Sequence, residues 1–337
     1  MSETEIKEIV RILCSNNHRV SGSEYNYLAR DFLVNQLDSL NVKPLYGDSY
    51  LHKYKVGNSN FFNVSGILES ENKSNNIVLI GAHYDTCGEQ PGADDNAAGV
   101  AAILNSIPSL NPVNKSIIIS FFDSEEPPYY LTKNMGSIRL YEDVLSDRYN
   151  IEYALILDCI GHDLPINGIE DYIAVLGTES SKTISNVFEK IPDSKELTKL
   201  FIRNDNLWEF EKNDIGDLSD HHIFRVNGIP FTFLTTGRTK RYHQVSDTPD
   251  WLNYKKINKI SQLVPNVIND LTEYEEKIDP IPHNNIKMEI KSIEKFLSRR
   301  TLIRNRFQST IKDAFGIQNI RSEEDIRTMV GILSKFI

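Results

Sequence analysis

Hydrophobic residues fall along the chain in two patterns, short continuous runs and longer stretches with helical spacing. The continuous runs lie at residues 77–82 (IVLIGA), 116–122 (SIIISFF), 153–157 (YALIL) and 229–235 (IPFTFLT). Unbroken apolar runs rich in β-branched residues are typical of strands covered on both faces, as in mainly parallel sheets. The pattern therefore predicts an α/β fold in which helices cover a central mixed, mostly parallel β-sheet.

Helical spacing occurs at the N-terminus and between the strand-like runs. We expect helices over residues 3–14, after Ser23 as an N-cap, over 96–107 and over 255–274. Pro265 could kink the last of these helices. Residues 44–68 alternate between apolar and polar side chains, which predicts two strands joined by a turn at 57–60.

The end of the chain differs in charge from the rest. Residues 282–337 contain 11 basic and 6 acidic side chains, whereas the net charge of the whole chain is −10. We predict a main domain over residues 1–280 and a helical extension over 281–337, with a linker at 278–285. Helices are expected at 286–315 and from Ser322 onward. Because this extension is too short for its own core, it should dock on the main domain or, alternatively, on a second subunit.

Composition narrows the class of protein. With 40% hydrophobic and 25% charged residues, the chain resembles ordinary globular proteins. Its negative charge argues against nucleic acid or an anionic membrane as a partner. No apolar run approaches the ~18–20 residues of a membrane span, and the first residues do not resemble a signal peptide. Three cysteines without a CxxC pair exclude a disulfide scaffold, so we expect a reducing, cytoplasmic compartment.

Imidazole and acidic side chains follow the predicted strands at the points where the strands end. His83 and Asp85 follow the first run, and Glu125 and Glu126 follow the second. The remaining members of this group are Asp94 and Asp95 in the loop before the helix at 96–107, Asp158 after the third run, and His243 after the fourth. Tyr242 directly precedes His243. Ligands bind outside the carboxyl ends of strands in such sheets, so we expect these side chains to meet at one edge.

A cluster of this kind favours a metal site. Buried carboxylates repel one another and take up protons unless a cation compensates their charge. Histidine together with carboxylate suits Zn²⁺, and the number of candidate ligands allows two metals that share a carboxylate. Each residue alone is more often a satisfied polar group, an N-cap or a solvated surface acid. Their joint placement after successive strands is what favours the metal site.

Five segments in the same order resemble a known family. They are HYDT (83–86), GADDNAAG (92–99), FFDSEE (121–126), LD (157–158) and YHQVSDTPD (242–250). This set looks like the co-catalytic dizinc aminopeptidases, metallopeptidase family twenty-eight, whose relatives include glutamate carboxypeptidases and glutaminyl cyclases. The resemblance runs from about residue 19 to residue 271, and it implies a zinc-exopeptidase-like fold.

The resemblance assigns five metal ligands. It implies that His83 and Asp158 bind one zinc ion, that Glu126 and His243 bind the second, and that Asp95 bridges the two. Two Zn²⁺ per chain are therefore expected.

The resemblance also implies roles for the neighbouring side chains. Glu125 would be the general base, and Tyr242 would hydrogen-bond the developing oxyanion. Asp85 would orient His83 from behind, and Asp94 is a further candidate for support beside the bridge. The implied chemistry is attack of a metal-bound water on the scissile carbonyl, with Glu125 carrying the proton to the leaving amine.

The sequence departs from the common family pattern after the Glu-Glu pair. The link at 127–135 is longer than in many members, and Tyr129 and Tyr130 in it could line the substrate pocket. A rigid surface loop is the alternative, and the departure bears on substrate preference more than on metal binding.

Further candidates lie near the family segments. Asp220, His221 and His222 belong to a recurrent family segment and are candidates for substrate contact. Cys87 and Cys159 adjoin metal motifs, but the family does not use thiolates there, so we expect structural roles for both.

These observations predict a zinc-dependent exopeptidase, and an aminopeptidase acting on peptides or small aminoacyl compounds in particular. A carboxypeptidase and a glutaminyl-cyclase-like aminoacyltransferase with one zinc stay open as alternatives. From another class, a metal-free binding module that keeps the peptidase fold is a third alternative, although it would be marked by lost ligands and none is lost.

Overall fold

The computed structural model describes residues 2–15, 18–163, 171–204, 217, 219–283 and 286–298. In this part of the chain, strands form a single mixed sheet with helices on both faces, which confirms the predicted α/β fold. The rest of the helix predicted at 286–315, and the helix predicted from Ser322, lie outside the described residues.

The sheet contains nine strands within the described residues. They are β1 (Lys43–Pro44), β2 (Leu51–Val56), β3 (Ser59–Leu68), β4 (Asn76–His83), β5 (Ser116–Phe122), β6 (Asn150–Leu157), β7 (Tyr172–Leu176), β8 (Thr198–Ile202) and β9 (Phe231–Thr235). Their order is β1-β3-β5-β4-β6-β9-β7-β8, and β2 pairs with β3. Strands β5, β4, β6 and β9 run parallel, whereas β3 is antiparallel to β5 and β7 is antiparallel to β9.

The described α-helices include those predicted over 3–14, after Ser23, over 96–107 and over 255–274, the start of the helix predicted at 286–315, and four others. They are α1 (Glu3–Cys14), α2 (Glu24–Ser39), α3 (Ala98–Ser106), α4 (Gly136–Leu140), α5 (Ser146–Arg148), α6 (Lys182–Lys190), α7 (His221–Val226), α8 (Tyr254–Glu273) and α9 (Ile286–Ser298). The Ser23 side chain accepts a hydrogen bond from the Asn26 amide, as expected for an N-cap. Helix α8 continues past Pro265. None of the described helices is both long enough and apolar enough to span a membrane.

Alternation along the central strands divides the core into two layers. Val78 and Ile80 of β4 pack with helices α1, α3 and α8 on one face, whereas Ile77 and Leu79 pack with α4, α7 and α9 on the other. All four side chains are fully buried. Burial on both faces is why the central strands read as continuous apolar runs.

Parallel pairing brings the ends of the central strands together. His83, the last residue of β4, pairs in register with Phe122, the last residue of β5. Strand β6 ends at Leu157 and β9 ends at Thr235 on the same side of the sheet. The segments that follow these strands therefore leave from a single edge, as the sequence predicts.

Strands β7 and β8 and helix α6 are absent from the sequence predictions. Each of the two strands has only five residues, and β8 includes a charged residue, Lys199. Lys199 is buried in the structure because its amine donates to Asp193 at 2.8 Å and to the Ile191 carbonyl. Because Lys199 interrupts the apolar residues of β8, the sequence lacks the continuous apolar run that predicts a buried strand.

The predicted linker is attached to the main body at both ends. The Ile278 amide donates to Glu152 at 3.0 Å, and the His283 amide donates to the Glu179 carbonyl at 2.7 Å. Helix α9 then packs on β8, where Ser292 exchanges hydrogen bonds with the amide and carbonyl of Phe201. This part of the predicted extension contacts the main domain; its separate domain status stays a prediction.

Lys115 joins the start of β5 to the segment that follows α8. Its buried amine donates to the carbonyls of Tyr274 and Glu276 and lies 3.5 Å from the carboxylate of Glu152. Glu152 is equally buried and also accepts the Ile278 amide. This ion pair therefore ties the sheet to the chain beyond α8.

We expect Lys115→Met to lower the free energy of unfolding by about 3–5 kcal/mol, because it leaves the Glu152 carboxylate buried without its cation. Urea denaturation followed by circular dichroism measures the loss. The double variant Lys115→Met/Glu152→Gln removes the orphaned charge and should recover part of the stability. A loss below ~1 kcal/mol in the single variant would contradict this account of the ion pair.

Candidate active site

The edge of the sheet collects the side chains that the sequence singles out. His83 ends β4, and Asp158 directly follows β6. Glu125 and Glu126 lie three and four residues beyond β5, and Asp95 lies in the turn that leads into α3. His243 comes from the loop between β9 and α8.

Asp95 lies between the two histidines. Its Oδ1 is 3.2 Å from Nε2 of His83, and its Oδ2 is 3.3 Å from Nε2 of His243. One carboxylate thus faces two imidazoles with its two oxygens, which is the arrangement expected of a bridging ligand.

Each histidine has a further carboxylate of its own. Oδ1 of Asp158 lies 3.4 Å from Nε2 of His83, and Oε2 of Glu126 lies 3.0 Å from Nε2 of His243. Glu125 is more distant, with its Oε2 at 4.0 Å from Nε2 of His83. The structure therefore brings together all five predicted ligands and the predicted base, in two groups joined by Asp95. Their roles stay predictions.

The cluster has the character of a cation site. Glu126 and Asp158 are 3% and 7% exposed, and several polar atoms of the cluster make no hydrogen bond with any described residue. These atoms are both ring nitrogens of His83, Oδ2 of Asp95, Oε1 of Glu126, Oδ1 of Asp158 and Nε2 of His243. Buried polar atoms are normally satisfied, so converging unsatisfied donors of this type fit a pair of zinc ions.

Electrostatics lead to the same conclusion. Burial, reinforced by the charge of Asp95, raises the pKa of Glu126 to about 8. Burial also raises the pKa of Glu125 well above its usual range. Burial lowers the pKa of His243, but the carboxylates of Asp95 and Glu126 more than offset this and raise it to about 9. Without a cation, the cluster must therefore retain protons to balance its charge.

Asp85 contacts both groups of the cluster. Its Oδ1 lies 3.4 Å from Nδ1 of His83 and accepts the amide of Glu125 at 3.1 Å. Its Oδ2 accepts the amide of Glu126 at 3.1 Å and the hydroxyl of Ser21. Asp85 thus lies behind His83, where the resemblance placed it, and it also fixes the main chain of the Glu-Glu pair.

Asp94 turns away from the two histidines of the cluster. Its carboxylate accepts the Gly161 amide at 2.6 Å and lies 2.6 Å from Nδ1 of His162. Asp247 in turn accepts the amides of Asp94 and Asp95, at 3.0 and 3.1 Å. Asp247 therefore holds the main chain of Asp95, the predicted bridging residue, and Asp94 ties the same turn to the segment after β6.

Asp247 and Arg19 are supporting residues that the sequence analysis did not assign. Asp247 lies within the quoted segment YHQVSDTPD, and Arg19 lies at the start of the stretch over which the family resemblance runs. Arg19 is 1% exposed and donates to the carbonyls of Tyr84, Pro91 and Gly92. The only sequence signal for either was its presence inside a family segment.

Several backbone conformations at the site are unusual. Ser124, Cys159 and His243 have φ values of 54°, 51° and 57°, the left-handed region that non-glycine residues rarely adopt. Each residue is a predicted ligand or directly adjoins a ligand or the base. Conformations of this kind persist where the surrounding structure fixes them, and they concentrate at functional sites.

Gly99 has no room for a side chain. A Cβ there would lie 2.2 Å from Oδ1 of Asn96 and 3.0 Å from the Leu157 carbonyl. Asn96 uses that same oxygen to accept the Gly99 amide and donates its own amide to Leu157. The close approach joins the turn that carries Asp95 to the end of β6, which carries Asp158.

Two aromatic candidates border the cluster, and a third packs elsewhere. The Tyr242 ring stacks on His243 with centroids 3.8 Å apart, and the Arg238 guanidinium lies 4.7 Å from the Tyr242 ring. The Tyr130 hydroxyl donates to the Asp217 carbonyl. Burial raises the pKa of Tyr130, and the charge of Glu125 acts in the same direction. Tyr129 packs edge to face on Phe61, a core residue.

Asp220, His221 and His222, the candidates for substrate contact, have different surroundings. Asp220 is fully buried, and burial raises its pKa to about 7, with the charge of Asp158 acting in the same direction. His221 stacks on Phe233 of β9, with ring centroids 4.5 Å apart. His222 lies 2.7 Å from Asp217. Only Asp220 of the three adjoins the charged cluster through these interactions.

Comparison with known proteins places this geometry in a family. The family model for peptidase family M28 matches residues 63–268, which is more than half of the chain and contains every cluster residue described above. The chain belongs to peptidase family M28. The predicted family resemblance is confirmed.

Individual M28 relatives are similar at modest identity. The chain is 29% identical to YfbL of Escherichia coli (strain K12) over 216 residues, covering 57% of the chain and 65% of YfbL. It is 28% identical to aminopeptidase YwaD of Bacillus subtilis (strain 168) over 240 residues, covering 64% of the chain and 46% of YwaD. The chain thus spans less than two thirds of the length of either relative.

A solved structure with the same fold is the LapA aminopeptidase of Legionella pneumophila. It superposes with a TM-score of 0.67 at 18% identity, covering 82% of this chain and 73% of LapA. At this identity the similarity establishes the fold alone, and it agrees with the M28 assignment.

We expect Asp85→Asn to weaken zinc binding about 10–100-fold, because an amide cannot support His83 and accept two amides as a carboxylate does. Competition with a chromophoric zinc chelator measures the affinity. The matched control is Asp31→Asn on α2, where the side chain is 57% exposed and should leave the affinity unchanged. Equal affinities in the two variants would contradict the role given to Asp85.

Zinc binding to the metal-free protein should release protons and strengthen as the pH rises. The His243 pKa is about 9, so at neutral pH a metal must displace a proton from this ring. The same proton stabilises the metal-free fold fully below the usual imidazole pKa, and that stability is lost as the pH rises through about 9. Calorimetric titration of zinc in buffers of different ionisation enthalpy counts the protons. Binding at pH ~7 without proton release would contradict the prediction.

Proposed function

We propose that this protein is a two-zinc aminopeptidase that removes N-terminal residues from peptides. The observation that carries the proposal is Asp95, whose two carboxylate oxygens face His83 and His243 separately. Asp158 and Glu126 complete one group each. Membership of peptidase family M28 supports peptide-bond hydrolysis as the reaction.

In this proposal the chain's own residues handle the proton. When bound, the metal pair would supply Lewis acidity that lowers the pKa of water and stabilises negative charge. Glu125 accepts a proton from the attacking water and then donates it to the leaving amine. Glu125 is 4% exposed, so the proton that it carries between the two transfers is shielded from solvent.

Tyr242 and Arg238 lie where they could assist the carbonyl oxygen of the substrate. The Tyr242 ring stacks on the imidazole of His243 and contacts the guanidinium of Arg238. Burial raises the pKa of Tyr242 strongly, so its hydroxyl keeps its proton and acts as a donor. A neutral donor beside a metal group is suited to stabilising a developing oxyanion.

The acidic surroundings favour a substrate with a free amino end. Glu125, Asp158 and Asp220 are all buried and adjoin the His83 group. A substrate ammonium group can donate hydrogen bonds to Glu125 and Asp220, which this proposal does not assign to a metal, whereas the metal pair compensates the charge of Asp158. This pair of acceptors favours aminopeptidase over carboxypeptidase activity.

A direct assay compares three substrate types: an aminoacyl chromophore, the same compound with an acetylated amine, and an N-terminal glutaminyl peptide. Hydrolysis of the first and not the second supports an aminopeptidase. Cyclisation of the third without hydrolysis of the first would favour the glutaminyl-cyclase alternative. The enzyme proposal would be overturned if none of the three substrates is turned over and the protein binds less than one zinc per chain when zinc is in excess.

We expect Glu125→Gln to lower kcat about 10²–10⁴-fold, because glutamine cannot accept the proton of the attacking water. Steady-state kinetics with the aminoacyl chromophore measures the effect, and metal analysis should still find the zinc content of the unmodified protein. Glu71→Gln, an exposed change in the loop before β4, is the matched control and should keep full activity. An unchanged kcat in Glu125→Gln would contradict the assignment of the base.

A further inference from the structure

Cys87 lies beside the His243 group of the cluster. Its Sγ, a carboxylate oxygen of Glu126 and a ring nitrogen of His243 all lie within 4.8 Å of one another. The thiol is partly exposed, in contrast to Cys14 and Cys159, which are buried. Cys87, one of the two cysteines for which the sequence predicts a structural role, is therefore close to a candidate metal group.

The loop that carries Cys87 is fixed from below by Arg19. This residue donates to the Tyr84 carbonyl at 2.7 Å and to the Pro91 carbonyl at 2.6 Å, on either side of Cys87. Its own amide donates to the hydroxyl of Thr86, which donates to the Gly88 carbonyl. The position of the thiol is thus set by buried hydrogen bonds next to it in the chain.

A second observation at the same place indicates a ligand. Glu126 is 3% exposed, and its Oε1 makes no hydrogen bond within the described part of the chain. Nε2 of His243 likewise makes no hydrogen bond with the described residues. Carboxylate oxygens of Asp95 and Glu126 lie 3.3 and 3.0 Å from it. A thiol, a carboxylate and an imidazole that converge in this way are a common donor set for zinc.

We infer that Cys87 is a ligand of the metal on the His243 side, in addition to His243, Glu126 and Asp95. The inference rests on the proposed two-metal site and adds a donor to it. On binding, the Cys87 S–H bond breaks, its proton passes to solvent, and the sulfur forms a bond to the metal. No oxidant or reductant takes part.

The sulfur makes the two metal positions chemically different. The His83 side offers nitrogen and oxygen donors from His83, Asp158 and the shared Asp95, whereas the His243 side gains a thiolate. Soft thiolate ligands select zinc, cobalt or cadmium over hard oxygen-seeking ions such as Mg²⁺ and Mn²⁺. The His243 side should therefore retain cadmium far better than manganese.

The test uses cobalt(II) as a spectroscopic probe in the full-length protein. Cobalt bound to a thiolate shows an intense near-ultraviolet charge-transfer band that nitrogen and oxygen donors do not produce. We expect this band in the unmodified protein loaded with two cobalt ions per chain and its loss in Cys87→Ser. The matched controls Cys14→Ser and Cys159→Ser should keep it.

The outcomes separate this inference from the proposed function. Two bound cobalt ions without the band, or a band that persists in Cys87→Ser, would overturn the thiolate ligand and leave the two-metal site intact. Failure to bind cobalt at all would overturn both. Metal analysis accompanies every spectrum, so the two failures are distinguishable.

A second measurement needs no variant. Iodoacetamide alkylates a free thiolate with loss of iodide, and mass spectrometry identifies the modified cysteine. We expect Cys87 to be alkylated at least tenfold more slowly in zinc-loaded than in zinc-stripped protein. Equal rates in the two forms would contradict metal coordination by Cys87.

Discussion

The structure depends on holding several buried carboxylates close together against their mutual repulsion. Asp95, Glu125, Glu126 and Asp158 are all at least nine-tenths buried at one edge of the sheet, with His83 and His243 as the nearest cationic groups. Such an arrangement is unfavourable in the absence of bound cations or retained protons. Burial, reinforced by the charges of neighbouring carboxylates, raises the pKa of both Glu125 and Glu126.

The fold meets the constraint with the same device on two sides of the site. On one side, Asp85 accepts the amides of Glu125 and Glu126, and on the other, Asp247 accepts the amides of Asp94 and Asp95. In each case one acid holds the main chain of others, so the side chains that face the metal positions stay free to bind. The supporting acids are thus as much a part of the site as the predicted ligands.

Sequence reasoning predicted the central strands and the residues that cluster at their ends for one reason. Residues 77–82 and 116–122 are buried on both faces, so their burial appears directly as apolar runs, and the ligands follow at the strand ends. It missed β7 and β8 because each is short and Lys199 is neutralised by a contact with Asp193. It missed Arg19 and Asp247 because they act through main-chain atoms, which leave no periodic pattern. It predicted a structural role for Cys87 because the family does not use thiolate ligands there. The closeness of the thiol to Glu126 and His243 is visible only in the fold.

Helix α9 has a consequence for the growth of the sheet. Strand β8 is the last strand of the described sheet, and its outward main-chain groups would be open to pairing with another chain. Ser292 of α9 occupies the amide and carbonyl of Phe201, and Glu289 accepts the amide of Arg203. Side chains of α9 thus bind main-chain groups that an added strand would otherwise pair with, which disfavours edge-to-edge association at β8.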